Sequence, residues 1–192
     1  MTTKVAVRAR RRAQRREIAT TRDPIADGKA LARHALDLVT SLRLGPGSVV
    51  AAYDSLPSEP PTGALREALR VRGVEVLLPM TLPSWDLDWF TDTGSDEGVP
   101  LGLDAIARAD LVLAPALAVD DAGGRLGQGG GCYDRTLPRL RPGTPVVAVV
   151  HPGEVSADPL PTDALDRRVD GVLTAEGLRW FAADDRPTSS PG

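Results

Sequence analysis

The sequence predicts an α/β protein with a mostly parallel sheet. Short apolar segments rich in β-branched residues, typical of buried strands, alternate with longer segments of helical periodicity. Residues 48–53 and 74–78 are the first two predicted strands, and residues 62–72 form a helix between them. A strand–helix–strand unit joins parallel strands, and the ligands of parallel sheets bind beyond the carboxyl ends of the strands. We therefore expect a functional site at that edge of the sheet.

The length and composition favour one domain. The chain has 192 residues, of which 42% are hydrophobic, and this is enough for a substantial core. We expect one domain over residues 1–183 and a polar, disordered tail over residues 184–192. The sequence has no apolar run of about 18 residues and no apolar segment after its arginine-rich start, so it predicts neither a membrane span nor a secretory signal. Its single cysteine excludes an internal disulfide framework, and we expect a cytoplasmic monomer.

The first 22 residues are strongly basic. They hold eight Lys and Arg residues and one acidic residue, in a chain whose formal net charge is −3. Residues 4–19 contain neither Gly nor Pro and favour a helix. One broad face of that helix attracts polyanions, because it carries Lys4, Arg8, Arg11, Arg12 and Arg15. A solvated arm and a nucleic-acid-binding arm are both compatible with this pattern.

The next helix and the remaining strands follow from capping residues and apolar runs. Residues 23–44 predict a helix that begins with Asp23 as its N-cap and Pro24 in its first turn, and that stops before Gly45 and Pro46. Strands are predicted at residues 85–90, 109–114, 144–150 and 169–174, and the last of these is the final strand of the sheet. Residues 91–103 are polar and glycine-rich, which indicates a loop.

Several aromatic and histidine side chains allow two interpretations. Trp85, Trp89 and Phe90 lie in one predicted strand, where they could pack in the core or form the wall of a pocket for a flat heterocycle. We expect His34 to be a packing or surface residue because it lies beside an apolar helical stripe. We expect His151, directly after a strand, to be a surface residue in a turn.

A glycine-rich segment holds the clearest functional signal. Residues 123–131 contain six glycines, at 123, 124, 127, 129, 130 and 131, and polar residues adjoin them directly. Glycine lets the backbone approach a ligand closely, and successive N–H groups can form an anion-binding nest. We expect a phosphate-binding loop, followed by a helix that opens near Cys132; a solvated linker is the alternative. The residues at 132 and 133 exclude a P-loop and a G-x-G-x-x-G dinucleotide loop, which need other residues there.

The same segment resembles a known family signature. Residues 123–135, GGRLGQGGGCYDR, are similar to GxRLGxGxGYYDR of the 5-formyltetrahydrofolate cyclo-ligases, with one extra glycine and Cys132 in place of a tyrosine. Residues 4–8 have the K-x-x-x-R form of the helix that contacts ATP in that family. Tyr53, Glu59 and Thr62 loosely match its folate-binding loop. Residues 160–174 resemble P-x-x-x-H-D-x-x-V-D-x-x-x-T, with Leu165 replacing the histidine.

This resemblance implies a three-layer α/β fold of the type shared with sugar-phosphate isomerases and CoA transferases. ATP would contact two segments, through Lys4, Arg8, Arg125, Leu126, Gly127, Gln128, Gly129, Gly130, Gly131, Cys132 and Tyr133. The reduced folate would contact Tyr53, Glu59, Gln128, Gly131 and Cys132. Asp134 and Asp166 would hold Mg²⁺, whereas Arg125, Tyr133 and Arg135 would act in catalysis.

The family reaction converts ATP and 5-formyltetrahydrofolate into 5,10-methenyltetrahydrofolate, ADP and phosphate. The resemblance therefore implies small-molecule partners, with neither nucleic acid nor a membrane. A carboxylate at Glu59 suits a pterin ring, whose edge offers adjacent N–H donors.

Two other functions stay open at the level of sequence. The first is a non-catalytic RNA-binding protein that uses the arginine-rich helix, and its binding would fall steeply with salt. The second is a binding-only paralogue of the cyclo-ligases. It is suggested by the departures from the family pattern at Cys132 and Leu165, and by Val99-Pro100 with a displaced Glu97 where the family commonly has a Glu-Pro pair.

Overall fold

The computed structural model describes residues 3–95, 98–161 and 166–181, and a seven-stranded sheet lies at its centre. The described strands are β1 Val49–Ala51, β2 Glu75–Thr81, β3 Leu87–Thr91, β4 Leu111–Pro115, β5 Ala118–Asp120, β6 Arg125–Leu126, β7 Val146–Val149, β8 Val155–Ser156, β9 Gly171–Thr174 and β10 Gly177–Trp180. The order in the large sheet is β10-β9-β7-β4-β1-β2-β3. Its five inner strands are parallel, and the edge strands β3 and β10 are antiparallel to their neighbours. The predicted α/β fold with a mostly parallel sheet is confirmed.

Helices and short helical turns cover both faces of this sheet. The helices are α1 Lys4–Thr21, α2 Pro24–Ser41, α3 Gly63–Val71 and α4 Cys132–Thr136. One face is covered by α2 and α3, with Leu31, Leu38, Leu65 and Leu69 in its core. The opposite face packs against the 3-10 turn Leu103–Arg108 and α4. Because both faces are covered, β1, β4, β7 and β9 are apolar and buried along almost their whole length.

Local sequence signals set the helix boundaries. Asp23 caps α2, since its side chain accepts hydrogen bonds from the backbone N–H groups of Ile25 and Ala26. Thr3 caps α1 through a hydrogen bond from Ala6 N–H. None of the described helices is long and apolar enough to cross a membrane.

The structure corrects two predictions about strands. Residues 169–174 are not the final strand, because a turn at residues 175–176 leads into β10, a short and partly exposed edge strand without clear alternation. The glycine-rich segment is not entirely a loop either, because its residues Arg125–Leu126 form β6. This strand pairs with β5 in a second sheet of order β6-β5-β8. Strands of two and three residues are too short to produce a periodic signal.

Some predictions fall outside the described residues. They concern the tail over residues 184–192, Leu165 and Glu97.

Candidate active site

A cavity of about 860 Å³ opens beyond the carboxyl ends of the central strands. Its lining comes from the start of α1, the loop after β1, strands β2 and β3, the end of β4, the glycine-rich segment with the residues that follow it, and the residues from 166. All the residues to which the sequence assigned a role line this cavity, namely Lys4, Arg8, Tyr53, Glu59, Arg125, Leu126, Gly127, Gln128, Gly129, Gly130, Gly131, Cys132, Tyr133, Asp134, Arg135 and Asp166. The structure therefore brings segments that are far apart in sequence to one place. Their individual roles stay predictions.

The glycine-rich segment keeps its shape through positions where a side chain would not fit. Gly129 and Gly131 have φ values of 113° and 68°, which side chains rarely allow. A Cβ at Gly130 would lie 2.8 Å from the ring of Trp85. Arg135 joins these two parts, since its guanidinium donates to the carbonyl oxygens of Trp85 (2.7 Å) and Gly130 (2.8 Å). The turn between β2 and β3 is thereby attached to the glycine-rich segment.

The basic face of α1 is turned towards the protein rather than towards solvent. Lys4 forms an ion pair with Asp166. Arg8 Nε donates to the Gly127 carbonyl oxygen (3.1 Å). The later arginines of this face also contact the chain: Arg11 reaches Ser156, Arg12 reaches Gln128 and Arg15 reaches Glu154. The contacts of α1 therefore fix one wall of the cavity.

Arg125, in β6 of the glycine-rich segment, lines the cavity and contacts two other lining residues. Its guanidinium donates to Asp134 Oδ1 (2.7 Å) and lies 5.6 Å from the centroid of the Tyr133 ring. Its Nε atom and the Tyr133 hydroxyl are both buried, and neither has a hydrogen-bond partner in the part of the chain that the structure describes. A bound ligand could satisfy both groups.

Glu59 and Tyr53 form the opposite end of the cavity. Glu59 is 8% exposed and accepts a hydrogen bond from the backbone N–H of Leu56 (3.0 Å). The loop that carries it is closed by Thr62, whose hydroxyl donates to the Tyr53 carbonyl oxygen (2.7 Å). The Tyr53 hydroxyl is buried and has no hydrogen-bond partner among the described residues.

Both tyrosines keep their protons. Burial raises the pKa of Tyr53 well above its usual value, and the negative charge of Glu59 raises it further. Burial also raises the pKa of Tyr133, against the opposing influence of Arg125. Each hydroxyl is therefore a neutral O–H group that can donate to a ligand at neutral pH.

A buried ionic network behind Glu59 was missed by the sequence analysis. Arg15 donates from Nε and Nη2 to the two carboxylate oxygens of Glu154, over 2.5 and 2.7 Å. Its Nη1 atom lies 3.5 Å from Glu59 Oε1. The sequence placed Arg15 on the correct helix face, but no neighbouring residue indicated that it would be buried. No sequence feature singled out Glu154 as a functional residue.

His151 belongs to the same network, and its predicted surface position is wrong. It is 4% exposed because its backbone N–H donates to Glu154 (2.8 Å) and its ring Nε2 contacts the Ser58 carbonyl oxygen (3.1 Å). These long-range contacts remove it from solvent. His34 is half-buried beside Arg33, in agreement with a packing or surface role.

The aromatic residues near β3 do not form a shared wall. Trp89 is fully buried in the core, and Phe90 packs against the cluster on the other face of the sheet. From β3, Leu87 lines the main cavity instead. Trp85 lies in the preceding turn with φ of 65° and lines a second cavity beside Arg8 and Arg12. The hypothesis that all three aromatic residues form one pocket wall is therefore wrong.

The described residues contain no cluster of three or more His, Cys, Asp or Glu side chains able to hold a metal ion. Asp134 and Asp166 nevertheless line the same cavity, each with a cationic partner. Two carboxylates suffice for Mg²⁺ when phosphate oxygens and water complete its coordination.

Fold and cavity together define a ligand-binding α/β protein with a cationic, glycine-rich end and a carboxylate end. The model of the 5-formyltetrahydrofolate cyclo-ligase family matches residues 1–175, and the chain belongs to this family. It is 37% identical over 147 residues to the 5-formyltetrahydrofolate cyclo-ligase of Mycolicibacterium smegmatis, covering 67% of this chain and 74% of that relative. It is also 37% identical over 86 residues to a methenyltetrahydrofolate synthase domain-containing protein of Mus musculus, covering 40% of this chain and 22% of that protein. The predicted family is confirmed.

Solved structures show the same fold at lower identity. The 5,10-methenyltetrahydrofolate synthetase of Mycoplasma pneumoniae has a TM-score of 0.73 at 18% identity, with 91% of this chain and 100% of that chain covered. The corresponding protein of Aquifex aeolicus has a TM-score of 0.69 at 22% identity, with 96% of this chain and 97% of that chain covered.

Proposed function

We propose that the protein converts 5-formyltetrahydrofolate into 5,10-methenyltetrahydrofolate, using ATP and Mg²⁺ and releasing ADP and phosphate. The observation that supports this proposal is the arrangement of the cavity. The glycine-rich segment with Lys4, Arg8 and Arg125 lines one part of it, and Glu59 with Tyr53 lines another. ATP phosphate and pterin can then bind in the same cavity.

The reaction needs activation of a poor leaving group. The formyl oxygen attacks the γ-phosphorus of ATP, the bond to the β-phosphate oxygen breaks, and ADP leaves. N10 of the folate then attacks the activated formyl carbon, its proton is lost, and the C–O bond breaks to release phosphate. Phosphoryl transfer requires mainly positioning and neutralisation of charge, so no side-chain nucleophile is needed.

Arg125 is suited to the centre of this reaction. It is 7% exposed, and its contacts with Asp134 and the Tyr133 ring hold its guanidinium between the two parts of the cavity. In a site with little water, a fixed cation stabilises developing charge more strongly than in solution. The Tyr133 hydroxyl has no partner within the described residues, so it can donate to the phosphate oxygen atoms on which this charge develops.

The oxygen donors of the cavity fit Mg²⁺. Asp134 and Asp166 would hold the ion together with ATP phosphate oxygens, which is the ligand set that this hard cation prefers. When bound, the ion would neutralise phosphate charge. Arg125 and Lys4 already contact these carboxylates and orient them towards the cavity.

The test of this function is a direct assay. The protein is mixed with ATP, Mg²⁺ and 5-formyltetrahydrofolate, and the absorbance of methenyltetrahydrofolate is followed while ADP is quantified. We expect equal amounts of both products and no product when ATP is omitted. Folate binding without product formation would instead support a binding-only paralogue.

The contacts of α1 favour a nucleotide over nucleic acid as the ligand of its basic face. Lys4 and Arg8 line the cavity, and Arg15 is buried. We expect Lys4→Ala with Arg8→Ala to raise the KM for ATP and to leave folate affinity nearly unchanged. An unaltered KM for ATP, together with RNA binding that weakens steeply with salt, would support the RNA-binding alternative instead.

A further inference from the structure

Three charged side chains at the Glu59 end of the cavity form a buried triad with a net negative charge. Arg15 carries one positive charge, whereas Glu154 and Glu59 carry one negative charge each, and their exposed fractions are 2%, 1% and 8%. Buried ionic groups need partners, because charge is costly to remove from water. One negative charge of the triad is left without a cation inside it.

The geometry places this excess charge on Glu59. The Nε and Nη2 atoms of Arg15 donate to the two oxygens of Glu154, and Nη2 also donates to the Ala116 carbonyl oxygen. Only Nη1 remains for Glu59, and its distance of 3.5 Å to Oε1 is too long for a strong hydrogen bond. Glu154 thus keeps Arg15 from forming a two-pronged pair with Glu59.

We infer that Glu154 is a positioning residue of the folate site: it holds the Arg15 guanidinium, so that Arg15 does not neutralise the Glu59 carboxylate. This inference rests on the proposed function, in which Glu59 accepts hydrogen bonds from the N–H donors of the pterin. A carboxylate that was fully paired with Arg15 would have little affinity left for those donors. Glu154 therefore controls how much of the charge on Glu59 is available to a ligand.

The other groups near Glu59 leave this balance unchanged. Tyr53 and Tyr133 are neutral at physiological pH, since burial raises the pKa of both. His151 contacts Glu154 through its backbone and the Ser58 carbonyl oxygen through its ring. Arg125 is paired with Asp134. The triad is therefore the part of this end of the cavity in which charge can be altered independently.

Single substitutions that change the charge of the triad should give a specific pattern of folate KM values. Glu154→Gln keeps the shape but frees Arg15 for Glu59, and we expect the folate KM to rise about tenfold. Arg15→Gln leaves Glu59 and Glu154 buried without a cation, and the repulsion between the two carboxylates displaces Glu59 from the pterin donors. Its folate KM should therefore also rise by about tenfold.

The double variant Arg15→Gln with Glu154→Gln distinguishes positioning from a structural role. It restores the excess of one negative charge, so we expect its folate KM to return close to the wild-type value. The KM for ATP should stay unchanged in all three variants. If Arg15 only attaches α1 to the protein, its loss shifts Lys4 and Arg8, so the KM for ATP rises together with the KM for folate. The double variant is then at least as impaired as the single variants. That result would overturn the inference.

A matched control and a binding measurement complete the experiment. Asp27→Asn breaks another arginine–carboxylate pair, between the buried Asp27 and the half-buried Arg22, away from the cavity, and should leave both KM values unchanged. Equilibrium binding of 5-formyltetrahydrofolate without ATP is measured for the same proteins, with thermal unfolding as the check on folding. A wild type that binds folate without turnover would refute the proposed reaction, while the order of the Kd values would still support or overturn the role of Glu154.

Discussion

The two ends of the cavity satisfy their polar groups in different ways. At the glycine-rich end, the two cations of α1 already have partners within the chain: Lys4 pairs with Asp166 and Arg8 with the Gly127 carbonyl oxygen. Towards the Glu59 end, the hydroxyls of Tyr53 and Tyr133 and the Nε atom of Arg125 are buried without a hydrogen-bond partner in the described chain. A ligand at the first end must therefore exchange partners, whereas a ligand at the second end supplies missing ones.

This difference predicts how each end responds to substitution. At the glycine-rich end, a ligand replaces existing ionic partners, and this replacement depends on the total charge of the ligand and of any cation bound with it. The effect of substitutions at this end should therefore depend on the Mg²⁺ concentration. Buried groups without partners cost free energy that a fitting ligand recovers, so the second end should be sensitive to the position of each donor and acceptor. Arg125 contacts groups from both ends and should be the most sensitive residue.

The largest expected effect is therefore at Arg125. Arg125→Ala removes the contact with Asp134 and the stacking on Tyr133, and we expect kcat/KM to fall by about 10²- to 10³-fold. Arg125→Lys keeps the charge but loses the planar fork, so it should recover only part of this loss. Initial rates of methenyltetrahydrofolate formation provide the measurement.

Arg139→Ala is the matched control for Arg125. Arg139 is also paired with an aspartate, Asp104, but it is partly exposed and does not line the cavity. We expect its kcat/KM to stay near the wild-type value. A similar fall in kcat/KM in both variants would contradict the proposed role of Arg125 at both ends of the cavity.

A smaller effect is expected for the carboxylates of the glycine-rich end. Asp134→Asn and Asp166→Asn each keep the shape but remove a negative charge, and activity should fall by about 10- to 100-fold. High Mg²⁺ concentrations should restore part of it if each residue contributes to an ion held with ATP. Titration of Mg²⁺ at fixed ATP measures this, with Asp104→Asn as the control. Unaltered Mg²⁺ dependence in both variants would remove them from the metal site.

The glycine-rich end was predictable because its constraints are local. Positive φ at Gly129 and Gly131 requires glycine, and the residues that follow are characteristic of the family. The spacing of Lys4 and Arg8 predicted a shared helix face without reference to distant parts of the chain. The parallel sheet was also predictable, since its buried strands are continuous apolar runs.

The Glu59 end was only partly predictable, because its partners come from distant segments. Arg15 and Glu154 are separated by more than half of the chain, and their pairing depends on how α1 packs against the turn after β7. The position of His151 directly after a strand predicted a surface turn, yet the same packing buries this side chain. Trp85 was expected in a strand but lies in a turn at φ of 65°, because its carbonyl oxygen is held by Arg135.

The smallest effect is expected at Cys132, where the chain departs from its family within the glycine-rich segment. Cys132 is the first residue of α4, lines the cavity and packs against the core on one side. A tyrosine in this place would add an aromatic surface next to the substrates. We expect Cys132→Tyr to lower the folate KM and to change kcat little, because the added contact stabilises bound substrate and transition state alike.

A second substitution at Cys132 tests whether its thiol takes part in the reaction. The proposed reaction uses no thiolate, since the formyl oxygen of the substrate is the nucleophile towards ATP. Cys132→Ser preserves size and should therefore leave turnover nearly normal in the methenyltetrahydrofolate assay. A fall of several orders of magnitude would instead require a covalent step through the thiol. In that case the glycine-rich end would contribute a nucleophile, and the contrast between an end that exchanges ionic partners and an end that supplies missing ones would no longer hold.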